Sequence, residues 1–180
     1  CSPPTYSERG MAVAAREVRH GTTIHRTRST RLDKDRALGR VANMASFTML
    51  AAWFALRHLR RGDRVLVVTN PPTLPPLIGL IAKLRRGRTA LLVHDVYPEV
   101  LVATGHVRAG GIVARAIGRV MRWTCGLFDD VAVLGRDMRD LFQTKVDSTR
   151  TRLHIIPNWG DIDEVRPVAR QDNGFAARHG

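Results

Sequence analysis

Residues 64–94, RVLVVTNPPTLPPLIGLIAKLRRGRTALLVH, decide the fold. They open on an unbroken apolar run and close on another. Between the two runs stand a proline-rich turn and a stretch of helical spacing ending in arginines and a glycine. Strands buried on both faces read as continuous Val/Leu/Ile runs. A strand, a helix and a second strand in this order predict parallel pairing with a right-handed crossover. Downstream the pattern repeats. GGIVARAIGRVMRWTCGLF (110–128) predicts a helix, DVAVLG (130–135) a strand, RDMRDLFQTK (136–145) a helix and LHIIPN (153–158) a strand. Upstream, residues 38–59 read as a strong helix and TTIHRT (22–27) as a weaker strand, with RSTRLDKDRALGR (28–40) between them as a mobile loop. The expected fold is α/β: a doubly wound, mainly parallel sheet with helices on both faces. Residues 1–160 are assigned to this domain, and the polar stretch 161–180 to a linker leading away from it.

The apolar fraction of 44% over 180 residues is enough for one domain with a core. The net charge is +13 and the pI about 11.4, which suits an anionic partner such as nucleic acid, a lipid surface or a phosphorylated small molecule. The excess is almost entirely arginine, a skew that GC-rich coding also produces, so charge alone decides little. Cys1 and Cys125 form no ligand cluster, and a reduced, cytoplasmic setting is expected. VANMASFTMLAAWFAL (41–56) has 16 uncharged residues, short of the roughly 20 that a spanning helix needs, and is read as a buried core helix. There is no GxxxxGK[ST] phosphate loop, no GxGxxG after a strand and no GxSxG elbow, so P-loop, nicotinamide and α/β-hydrolase chemistries are disfavoured. No nucleic-acid-binding signature appears, and the arginines are not interleaved with aromatics.

In an open parallel sheet, ligands bind beyond the carboxyl ends of the strands. The residues following each strand are therefore the candidates. They are Asn70 and Thr73 after the first run, then His94, Asp95, Tyr97 and Glu99, then Arg136 and finally Asn158. His94 and Asp95 break an apolar run, which is costly unless the strand end opens into a cleft. Helix capping competes with ligand contact at Asn70 and Thr73. Asp137 at a helix start suits the dipole, and Asp161 reads as an N-cap. DID (161–163) imitates a metal-binding Asp-x-Asp, but three residues carry little, and no metal is expected. The arginines of RHLRRGD (57–63) and KLRRGR (83–88) fall at helix C-termini, at the rim opposite the candidates. Arg115, Arg119 and Arg122 form a stripe read as opposite Val113, Ala116, Ile117 and Val120. Either it is a solvated face, or it meets anionic lipid headgroups.

Four segments in this order, TNPPTLPPLIGLIAKLRR (69–86), VHDVYPEVLVATG (93–105), VAVLGRDMRDLF (131–142) and IIPNWGDIDEVRP (155–167), resemble the N-terminal half of glycosyltransferase family 4. The likeness is to the branch that builds bacterial surface polysaccharides of the colanic-acid and O-antigen type. The resemblance implies a GT-B enzyme of two Rossmann-like domains, retaining and metal-independent, with no cofactor. Its substrates would be a nucleotide-sugar and a glycan or polyprenyl-diphosphate-linked acceptor, held at the cytoplasmic membrane face. It implies that the residue matching His94 projects toward the transferred sugar, and that Asp95 and Glu99 match acidic positions around the acceptor. Asn158 matches the "PN" that closes the domain. The family's first strand with its glycine-rich loop, and its donor-binding second domain, have no counterpart in these residues, so the stretch is expected to be inactive alone. The competing reading is a basic Rossmann-like binding module for an anionic ligand or nucleic acid, without catalysis, which has no need of these motifs in this order.

Overall fold

The computed structural model describes residues 14–33, 35–158, 160 and 168–179. A hairpin of β1 (Arg16–Arg19) and β2 (Thr22–His25) comes first, turned by His20 and Gly21, both at positive φ. Then follow α1 (Ala37–His58), β3 (Arg64–Val68), α2 (Leu74–Leu84), β4 (Arg88–Val93), a short α3 (Glu99–Ala103) and α4 (Ile112–Cys125). The domain continues with β5 (Asp130–Val133), α5 (Arg136–Gln143) and β6 (Arg152–Ile155). After it lie a 3-10 turn, Arg170–Asp172, and α6 (Gly174–His179). The linker expected over 161–180 lies partly outside the described residues.

β3, β4, β5 and β6 form one parallel sheet in sequence order, so the α/β reading is borne out. Right-handed crossovers between strands laid down in a single direction carry every connecting helix to the same face. One core cluster results: Val67, Leu91, Val93, Val131 and Val133 from the strands meet Ile78 of α2, Met121 of α4 and Phe142 of α5. Among the described residues the helices cover this face and not the other, where Leu66 is 67% exposed, so the expected cover of helices on both faces is corrected to one. α2 begins at TLPPL because proline's missing N–H costs nothing in a first helical turn. Gly79 lets α2 lie close against the core: a Cβ there would stand 3.0 Å from the Phe128 ring. Buried Thr89 is satisfied, its hydroxyl donating to the Leu127 carbonyl and its N–H to Asp129.

Three other expectations are corrected. The helix expected over 41–56 exists, but it is not a buried core helix. α1 turns Gly39, Thr48, Ala52 and Ala55 inward and leaves Leu38, Met49 and Trp53 exposed. No helix among the described residues is long and apolar enough to cross a membrane. On α4 the inward residues are Ala114, Met121, Thr124 and Cys125, whereas Val113, Ala116 and Val120 are exposed. The arginine stripe therefore flanks the packed face and does not oppose it. The loop before α1 is also tied down: Asn43 accepts the Leu32 N–H and donates to its carbonyl, and Ser46 accepts the Thr30 N–H.

Candidate functional site

Parallel pairing sets all four strand ends on one rim. Val68 lies level with Leu92, and Val93 with Val133, which pairs with Ile155. Asn70, His94, Arg136 and Asn158 each follow the carboxyl end of a different strand, so all four stand along that edge, and all are exposed. No hydrogen bond or ion pair within the described residues engages any of these four side chains.

The turn bearing His94 and Asp95 hangs on Thr69, a buried residue just past β3. Its hydroxyl accepts the His94 N–H at 3.0 Å and the Asp95 N–H at 3.3 Å. One oxygen of a neighbouring strand thus fixes where the chain leaves β4, while the His94 ring stays outside the core. Sequence reasoning placed Thr69 at the strand end without giving it a role. Its only signal there is a hydroxyl ending an apolar run.

The other candidates divide. Tyr97 is half-buried, and its phenol is held above the ordinary range, first by burial and then by the Asp95 charge, which puts the two side chains within electrostatic reach. Glu99 is engaged by Lys145, whose ammonium lies 2.6 Å from each carboxylate oxygen and 3.1 Å from the Tyr97 carbonyl. The Lys145 side chain is only 7% exposed, so this pair is a fixed brace between the start of α3 and the turn that follows α5. Sequence reasoning gave Lys145 no part. Thr73 is exposed and makes no side-chain cap of α2; its hydroxyl meets that of Thr48 at 2.7 Å and ties α2 to α1. Asp161 and the DID segment lie outside the described residues. Among the described residues no group of three or more His, Cys, Asp or Glu is placed to hold a metal ion. Buried Cys125 has its thiol pushed up to about 11, chiefly by burial, and is chemically quiet.

These features define a Rossmann-like α/β domain with a rim of exposed polar side chains at its strand ends, the edge where parallel sheets of this kind bind ligands. In sequence the chain is similar to the protein named probable glycosyltransferase WbjE of Pseudomonas aeruginosa. The two are 36% identical over 145 residues, which is 81% of this chain and 36% of that protein. The chain thus spans about a third of the length of the relative it matches. No family model matches the chain. No solved structure matches it significantly.

Proposed function

We propose that this chain is the acceptor-side domain of a retaining, metal-independent GT-B glycosyltransferase of the family 4 type, needing no cofactor. The whole enzyme would move a sugar from a nucleotide-sugar to a glycan, lipid-linked through a polyprenyl diphosphate, in cell-surface polysaccharide synthesis. The likeness to a probable glycosyltransferase supports the class. The observation that carries the reading is the exit of β4, where the Thr69 hydroxyl holds the His94–Asp95 turn and leaves the His94 ring at the open rim.

In this reading the His94 ring donates a hydrogen bond that orients the sugar as its bond to the departing phosphate lengthens. Asp95 holds the imidazole tautomer or receives the acceptor hydroxyl. Asn70, Arg136 and Asn158 line the rest of the rim as polar contacts to substrate. A second domain closing on this rim would exclude water, so that transfer outruns hydrolysis. The enzyme would work as a peripheral protein at the cytoplasmic face of the membrane. The outward side of α4 supports this placement, since exposed Ile112, Val113, Val120 and Trp123 stand beside Arg119.

The test is transfer from a panel of sugar nucleotides by the full-length protein and its His94→Ala variant. The expected result is turnover lowered by about a hundredfold or more, the scale of a lost general acid–base or orienting group. Unchanged turnover removes His94 from the site, and absence of transfer with every donor defeats the class.

A further inference from the structure

A concave site stands beside the rim, with Glu99 in its lining. It is a cavity of about 350 Å3 between α4, the loop after β4 and the end of α5. Arg115, Arg119 and Arg122 line it from one flank of α4. At spacings of four and three residues their side chains stack along about two helical turns. Each is exposed, and none has a hydrogen-bond or ion-pair partner among the described residues. Gly118 keeps the floor open toward Pro98: a Cβ there would lie 3.9 Å from the proline ring and 4.0 Å from the Arg122 guanidinium. The only carboxylate in the lining, Glu99, has both oxygens on Lys145. That pair cancels its own charge and leaves three guanidinium groups uncompensated around one hollow.

Like charges held this close repel one another, and an anion placed among them relieves the repulsion. Guanidinium forks match phosphate oxygens bidentately, and a ligand spread over two turns of helix can engage several of them at once. We propose that this cavity binds a phosphate ester, of mono- or diphosphate type, through Arg115, Arg119 and Arg122. The inference does not rest on the transfer reaction, because His94, Asp95 and Asn70 have no part in the lining. The phosphate can be carried by a soluble metabolite or by a lipid headgroup. The exposed apolar side of α4 adjoins the same arginines, so both sources are tested.

The experiment measures inorganic pyrophosphate binding to the full-length protein by calorimetry. In parallel it follows co-sedimentation with vesicles of phosphatidic acid in phosphatidylcholine, against phosphatidylcholine alone. The variants are the triple Arg115→Gln, Arg119→Gln, Arg122→Gln and the single Gly118→Asp. In the latter the new Cβ meets only ordinary contacts, and a carboxylate enters the hollow. Loss of one charge-assisted hydrogen bond weakens binding about tenfold, and the triple variant is expected to lose more than that. Thermal melts of both variants confirm that the fold is kept. A drop in pyrophosphate binding alone assigns a soluble ligand, and a drop in acidic-vesicle binding assigns a lipid headgroup; either supports the site. His94→Ala is expected to leave both probes unaffected, whatever it does to transfer. Failure of both probes to bind, or binding of both unchanged in the triple variant, overturns the proposal.

Discussion

The two faces of the β3–β6 sheet are built from the same strands, yet they differ sharply. On one, Leu91, Val93, Val131 and Val133 are wholly buried under α2, α4 and α5. On the other, Leu66 is 67% and Val68 37% exposed, and Asp130, Arg152 and His154 form a polar cluster across β5 and β6. Past the opening Arg64 and Arg88, both faces of β3 and β4 are apolar except at Thr89. Composition of a strand therefore records what it is able to bury, while the order of its neighbours decides what lies over it.

The largest test of this contrast compares Leu91→Ala with Leu66→Ala. The first should lose about 3 kcal/mol by transfer and cavity terms, and the second under about 1 kcal/mol, read by denaturant unfolding. Equal losses would mean that the outer face is covered in solution. Next, Gly79→Ala forces a Cβ against Phe128 and Leu127, so overpacking should cost about 1–3 kcal/mol on the covered side. Thr69→Val keeps the volume but removes the acceptor for two N–H groups. A loss of about 1–2 kcal/mol is expected, with Thr69→Ser close to the parent in both stability and transfer. Transfer that is unaffected by Thr69→Val would detach the hydroxyl from the rim.

The smallest effect lies on the open face. Asp130 is held below the ordinary carboxylate range, first by its hydrogen bond from Arg152 and then by His154. A carboxylate whose folded pKa is lowered stabilises the fold fully above its unfolded value near 4 and loses that contribution as pH falls through the folded value. Asp130→Asn should therefore lower stability modestly above about pH 4 and leave it unchanged in acid, which flattens the acid limb of a stability–pH profile below that pH. An unchanged acid limb would show that the cluster does not couple to folding.

Much of this architecture was legible because its signals are local. The four apolar runs gave β3, β4, β5 and β6 to within three residues at either end, and parallel order alone brings Asn70, His94, Arg136 and Asn158 to one edge. What escaped depends on distant partners. α4 carries two overlapping apolar stripes, and nothing local says whether Val113 and Val120 or Ala114 and Met121 meet the sheet. β1 is polar and short, and only its pairing across the His20–Gly21 turn makes it a strand. The Thr69 hydroxyl and the Lys145 ammonium act on residues 25 and 46 positions away, beyond any sequence window. α1 misled for a related reason: its apolar run is long enough to be core, but only its small residues face inward.

The sheet's order has a consequence for how the molecule is made. Each strand pairs with the one synthesised just before it, at offsets of 24, 40 and 22 residues from Arg64 to Arg88, Ala90 to Asp130 and Asp130 to Arg152. Among the described residues no strand has to thread between two that are already joined. A chain emerging from the ribosome can add one hydrogen-bonded rung at a time, each closing a short loop, so growth and folding run in the same direction.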